Sequence, residues 1–537
     1  MGLTQIQPVA AGTDQEVLTA PVLVQVAPEV PPSIARPVTA ALQELNVLSG
    51  AGWIQPLRVV RGSDNATTFV ELTPLRQGDQ PLAVRFFAPV AQFSTVADAL
   101  SLEELQKLWL EPEGGATYVT PEAVDWLPAV LGPRGEHVQV VNPAEMLAAL
   151  EQDAQAIGLM AFDQLDPRFK VLAVDGFDVL SNQLDPEEYP LAAAVHLRGP
   201  GASSLAARLA QAAGPATNRD PARLTTLIMT GVTAITRGTA AAIERNDVLY
   251  PAAIISDTLR AADITHISNE VPFLDDCVVN NTLNNLILCS HTDYWATLEA
   301  LGTDIVGLSG NHVNDFGRDG ARRSLQFYRD NNIAIYGSGS DIEQACAPLF
   351  WQHNGNTFAF LAALAFDPPS ARATEDEPGA CYYYDHRQEI LARIAELAQT
   401  TDIVAVELQF EESYDAVPLA RQVEEFRALR AAGADLVTGV QSHVPQAMEP
   451  YGLDDEGGPG VIAYGLGNLF FDQMWSWATR TELLAQHTVY DGRLLNTQVL
   501  TAVLEDFAQP RWADAEERAE ILTRIFNAAP PPRSRSP

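Results

Sequence analysis

Apolar residues along this chain fall mostly in short runs, of the four to eight residues or so that make a buried strand, separated by stretches with helical spacing. Val22-Leu23-Val24-Gln25-Val26, Leu57-Arg58-Val59-Val60 and Leu82-Ala83-Val84-Arg85-Phe86-Phe87 read as strands, and Ser33 to Leu48 as a helix. Ser101 with Glu104 forms a capping box ahead of the amphipathic run Leu102 to Trp109, which stops near Pro112. A helix starts in the run Tyr118 to Glu122, a strand–helix junction follows at Val138 to Pro143, and strands recur at Ile157–Phe162 and Val171–Gly176. Gly199 to Pro221 is rich in Gly, Pro, Ala and Ser and reads as a linker holding one short helix, Leu205 to Ala213.

Beyond the linker the strands become more apolar, and polar residues collect where they stop. Thr225–Thr230 ends at Gly231, Asp263–Ser268 runs into Asn269-Glu270, and Asp304–Leu308 leads to Gly310-Asn311-His312. Phe358–Leu364, Asp402–Leu408, Leu436–Gly439 and Val461–Gly465 continue the series, with helices over Ile254–Ala262, Asp293–Leu301, Gly320–Asn331 and Pro418–Ala432. Strands alternating with helices predict an α/β protein with its chemistry at the strand ends. The expected layout is a flexible leader over 1–20, an α/β domain over 21–198, a linker over 199–222, a second α/β domain over 223–510, and a helix with a Pro/Arg/Ser tail over 511–537.

Length agrees with this division, since 537 residues exceed what one core supports. Charge adds an exclusion: 33 Lys and Arg against 69 Asp and Glu give a net charge of −36. That argues against nucleic acid and against anionic lipid surfaces as partners. No apolar run is long enough for a transmembrane helix. The amino terminus lacks the basic and apolar segments of a signal peptide, and Ile6 stands where a myristoylation signal wants Ser or Thr. The protein is therefore expected to stay inside the cell, or its true start lies upstream. Four cysteines allow three pairings. Their spacing permits Cys277–Cys289 with Cys346–Cys381, and buried free thiols are the other reading.

The densest chemistry lies in Ile305 to Asp315, where a β-branched run stops at a glycine and then delivers Asn311, His312, Asn314 and Asp315 onto one loop. Asn and neutral His suit a divalent ion, and a turn whose Asn and Asp cap the next helix is the other reading. Asn269-Glu270, Gly310-Asn311-His312 with Asp315-Phe316-Gly317, Gly337-Ser338-Gly339, Gly433-Ala434-Asp435, Ser442-His443 and Gly465-Leu466-Gly467-Asn468 keep one order along the chain. This series resembles the CapA family of poly-γ-glutamate capsule proteins, built on the calcineurin-like metallophosphoesterase fold, over about residues 224–475. The resemblance implies a four-layer α/β/β/α sandwich with a divalent-metal cleft. It also implies a role in synthesis, export or release of an anionic cell-surface polymer, at the outer face of the cell. The first domain resembles, in the order of its pieces, one copy of a periplasmic solute-binding fold.

The chain departs from that family at three expected ligand positions. Gly231 is followed by Val232 instead of Asp, and Gln409 and Gln441 stand where histidines are usual. Glu270, Asn311, His312 and His443 remain as a metal set for one divalent ion (Mn, Zn or Mg). Gln409 and Gln441 could add weak oxygen donors, and two ions are not expected. In a hydrolase, His312 and His443 would act as ligands or general acid with Asp315 orienting His312, and Glu411 and Glu412 read as a solvated acidic loop. Arg237, Asn468, Gln441 and Gln409 are the candidate substrate contacts. Two functions follow: a metal-dependent hydrolase acting on an envelope polymer, and a non-catalytic binder of polymer or small ligand on the same scaffold. Membrane-associated synthases are the expected partners in either case.

Overall fold

The computed structural model describes residues 16–50, 53–112, 115–282 and 284–531. Most of the expected leader and the final six residues of the tail lie outside them.

The second domain is a sandwich of two sheets. In the first, strands Ala334–Tyr336, Ile305–Gly307, Ile264–Asn269 and Leu224–Thr233 run parallel. The sheet continues antiparallel through Thr481–Tyr490, Arg493–Glu505 and Gln509–Trp512. The second sheet has Asn356–Leu364, Ile403–Gln409, Leu436–Val440 and Gly460–Ala463 parallel at its centre. Antiparallel Leu349–His353 and Met448–Tyr451 close its edges.

Side chains alternate along a strand, so each sheet presents one face to its partner and one to helices. Leu227, Met229, Ile264, Ile305, Phe358, Phe360, Ile403 and Ala405 fill the space between the sheets. Ile228 and Ile267 pack outward beside Ile243, Leu298, Leu325 and Tyr328 of the helical layer on the first sheet. Val404 and Val406 pack outward against Ile390, Ile394, Phe426 and Leu429 on the second. Helix, sheet, sheet and helix thus make the four layers that the sequence resemblance implies.

The first domain is built on one mixed sheet that includes Trp53–Val59, Val22–Val26, Thr68–Pro74, Ala192–Arg198, Ala83–Gln92 and Ile157–Ala161. The Ser101–Glu104 capping box forms as expected. The helix expected to reach Leu48 stops at Glu44, and Val47–Gly50 forms a strand instead. The stretch expected as a linker is packed: its helix Ala202–Ala213 buries Leu205 and Leu209, and Asn218 and Arg219 are buried. Asn218 hydrogen-bonds both main-chain groups of Phe86, and Arg219 donates to the carbonyl of Val179 at 2.8 Å. Its hydrogen bonds, more than its composition, decide its role. The carboxyl-terminal helix Ala515–Asn527 is likewise part of the sandwich, placing Ile521, Leu522 and Ile525 in the inter-sheet core.

Both disulfides, Cys277–Cys289 and Cys346–Cys381, are formed. The domains meet where Arg493 donates to the carbonyl of Leu165 and Asn496 to that of Phe169, each at 2.7 Å. Tyr490 packs edge-on to Phe162 at 5.1 Å. Leu224, at the start of its strand, pairs with Tyr490, so this contact lies at the end of the sandwich opposite the carboxyl ends of the parallel strands. No described helix is long and apolar enough to cross a membrane.

Candidate functional site

Three inward-facing rows lead to one end of the sandwich. They run Ile264, His266, Ser268 to Glu270; Ile305, Gly307, Ser309 to Asn311; and Ile403, Ala405, Glu407 to Gln409. Each row starts in the apolar core and turns polar toward the carboxyl end, where α/β sheets place their chemistry.

Glu407 lies one step below Gln409 in its row and is fully buried. It accepts a hydrogen bond from Ser309 at 3.0 Å, and its Oε2 is 3.7 Å from His266 Nε2, which shares a 2.8 Å bond with the Tyr336 hydroxyl. Gly307 makes the room, since a Cβ there would stand 2.7 Å from the Glu407 carboxylate. Burial pushes the Glu407 carboxyl up to about 7 and the His266 imidazole down to about 3.

Above this floor, Gln409 donates through Nε2 to Glu270 Oε2 at 3.2 Å, to Asn311 Oδ1 at 3.3 Å, and to Gln441 Oε1. All four side chains are buried. Gly310 allows the Asn311 turn to pass against Glu270, whose Cα would lie 2.4 Å from a Cβ at that position. Burial raises the Glu270 carboxyl, and this outweighs the opposing fields of His312 and His443.

His312 Nδ1 bonds Asp315 Oδ2 at 2.7 Å. The same oxygen accepts from the backbone of Leu288 at 2.7 Å, in the loop closed by Cys277–Cys289. Burial disfavours the imidazolium of His312, but the bond to Asp315 and the charge of Glu270 win, and its pKa is raised. His443 Nδ1 bonds Asn468 Oδ1 at 2.8 Å, and Asn468 in turn donates to the carbonyls of His443 and Thr479 and to Gln473. Asn468 is fully buried and positions His443.

The His443 ring stacks on Tyr414 with centroids 5.5 Å apart, and Tyr414 meets Trp475 at 5.8 Å. Trp475 is 64% exposed and Tyr414 39%, so this wall opens to solvent. Glu412 stands 3.7 Å from His443 Nε2, and that neighbour holds its carboxyl below the usual range. Glu411 pairs with Arg421. Arg237, expected to grip a ligand, is instead buried in an ion pair with Asp472 at 2.5 Å, and Asp472 also accepts from the backbone of Gly238.

Backbone strain gathers here. Gln441, His443, Tyr414 and Arg237 have φ of 87°, 55°, 51° and 43°, a left-handed conformation that costs a non-glycine residue about 1 kcal/mol or more. Such outliers concentrate at functional sites.

The donor set does not fit the divalent ion that the fold class commonly holds. Among the described residues no three His, Cys, Asp or Glu side chains are grouped to bind one. Glu270 is the sole carboxylate at the point where the strand ends converge, and the Gln409 nitrogen, a donor, occupies that point. Glu270, Asn311, His312 and His443 share a neighbourhood without forming a coordination sphere.

Glu407 and Tyr414 were not legible as site residues in the sequence. A carboxylate two places before Gln409 in an otherwise apolar strand is the signal that could have found Glu407; Tyr414 has none.

Comparison with known proteins agrees with this geometry. Residues 226–473 match the family model described as bacterial capsule synthesis protein PGA_cap. The capsule biosynthesis protein CapA of Bacillus anthracis is 24% identical over 306 residues, 56% of this chain and 72% of its own. The PGA biosynthesis protein CapA of Bacillus subtilis is 29% identical over 196 residues, 36% of this chain and half of its own. A phosphatase of Mycoplasma pneumoniae shares 11% identity over 52% of this chain and 94% of its own, with a TM-score of 0.32. The strand ends that build the cleft lie within the matched segment, and residues 226–473 thus form a domain of the bacterial capsule-synthesis PGA_cap family.

Proposed function

We propose that this protein serves in the synthesis, export or release of an anionic cell-envelope polymer of the poly-γ-glutamate class, and that its cleft binds the polymer without cleaving it. The names of its relatives support the process. The observation that carries the binding reading is the make-up of the cleft: Gln409, Asn311 and Gln441 amides around one buried carboxylate, beside a solvent-facing wall of Tyr414 and Trp475. A membrane-associated synthase is the expected partner at the outer face of the cell. The first domain, set at the far end of the sandwich, is left to take a small ligand of its own.

The His312–Asp315 pair favours a second reading, in which a raised-pKa imidazole acts as general acid in a hydrolase. One experiment separates them. Fluorescently labelled poly-γ-glutamate of defined length is titrated with the protein in chelator and in Mg²⁺ or Mn²⁺, and its length is then read on a gel. The proposal expects binding without shortening, weakened on the order of tenfold by Tyr414→Ala with Trp475→Ala, as loss of about 1.4 kcal/mol of ring contact implies. Because the chain carries a net −36, binding should tighten as salt screens the repulsion. Shortening of the polymer would establish the hydrolase instead, and no binding at any salt concentration would sink the polymer reading.

A further inference from the structure

Four strand ends, two from each sheet, aim polar side chains at one buried point. Glu270 and Asn311 follow strands of the first sheet; Gln409 ends and Gln441 follows strands of the second. Glu270 Oε2, Asn311 Oδ1 and Gln441 Oε1 are acceptors, and the hydrogens of the Gln409 amide are the donors between them. A carboxylate and two amide oxygens that face one another inside a protein repel unless a cation or a donor stands between them. The orientation of Gln409 follows from this. With Asn311 and Gln441 turned as they are, a Gln409 oxygen facing inward would bring four oxygens together with no amide hydrogen among them, and the nitrogen points in.

We infer that the Gln409 amide is a tethered stand-in for a cation: it holds the ends of the two sheets together with no bound ion, while Glu270 Oε1, Gln409 Oε1 and Gln441 Nε2 find no partner among the protein's own groups. An ion could enter only if the amide swung out and gave up its hydrogen bonds, and it would then meet one carboxylate and two neutral, weak oxygen ligands. The tether crosses from one sheet to the other and acts as a staple at the mouth of the sandwich, away from the first domain. The inference concerns the architecture of the centre, and it stands or falls apart from the identity of the polymer.

Thermal unfolding of the full-length chain tests it, with wild type, Gln409→Ala and Gln409→Glu each measured in EDTA and in 1 mM MnCl₂ or MgCl₂. The wild-type midpoint should be the same in all three conditions. Gln409→Ala removes the donor and should melt lower by about 2–5 °C in EDTA, with part of the loss recovered on adding the ion. Gln409→Glu replaces the donor with a second carboxylate beside Glu270. It should depend on the ion most strongly and bind one per chain in a calorimetric titration. Should Gln409→Ala fail to fold, Gln409→Glu refolded in the ion and then stripped by EDTA gives the same comparison. A saturable rise of the wild-type midpoint with either ion would overturn the inference. So would a Gln409→Glu variant as stable in EDTA as wild type.

Discussion

Glu407 offers the sharpest test of how the interior of the sandwich is built. Its carboxyl is fully buried on the floor of the cleft, and the groups facing it are Ser309, Ser268, His266 and Tyr336, none of them a cation at neutral pH. Burial therefore lifts it from an ordinary 4.5 to about 7. The sign follows: between these pH values the folded chain keeps a proton that the unfolded chain has released, so stability falls as pH rises from 4.5 and levels off above 7. At about 1.4 kcal/mol per pH unit, the rise corresponds to about 3 kcal/mol. Glu407→Gln keeps the shape and the bond from Ser309 but cannot ionise. The expected outcome is a variant about as stable as wild type at pH 5 and more stable by about 2–3 kcal/mol at pH 8.5. Urea titrations followed by tryptophan fluorescence at a series of pH values would measure it. Equal pH dependence in wild type and variant would refute the reasoning, because some other group would then carry the titration.

Arg237→Met should cost about 3 kcal/mol or more by stranding the buried Asp472, and adding Asp472→Asn should recover part of it; urea midpoints of the single and double variants decide. Gly492→Ala should cost about 1–2 kcal/mol, because φ there is 74° and a Cβ would meet Asp402 Oδ1 at 2.8 Å. A midpoint unchanged from wild type would contradict that account of the turn.

Much of the second domain could be read in advance because its parallel strands are buried on both faces. Ile264–Asn269, Ile305–Gly307 and Ile403–Gln409 therefore appear as compact apolar runs with polar residues at their ends. The hairpin Thr481–Tyr490 with Arg493–Glu505 was missed, although Asp491-Gly492 is a hairpin signal and both residues have positive φ. Its inward row includes buried polar residues such as His487 and Thr497, which blur the alternation. Tyr382 caps the helix Tyr383–Leu397, and Tyr383, its first residue, is buried in the core. Aromatic propensity points to a strand there, and packing of Tyr383 against the second sheet overrides it. At the site, the types and order of Glu270, Asn311, His312 and His443 were legible. Asp315 as the partner of His312, three residues on, was legible too; the partners of Glu270 and Asn311 were not, because Gln409 bonds three residues 32 to 139 positions away. The commitment of Arg237 to Asp472, 235 residues on, was hidden for the same reason.

The alternating rows that carry Glu270, Asn311 and Gln409 to one place also limit how this protein can vary. A single residue inserted within Ile403–Gln409 would turn Glu407 and Gln409 toward the helices and bring their outward neighbours into the cleft. Length changes in these strands are therefore selected against, whereas exchanges of one side chain for another at 270, 311, 409 and 441 keep the strand register, whatever they cost in stability. The cleft can be rewritten letter by letter, and insertions are confined to the loops around its rim.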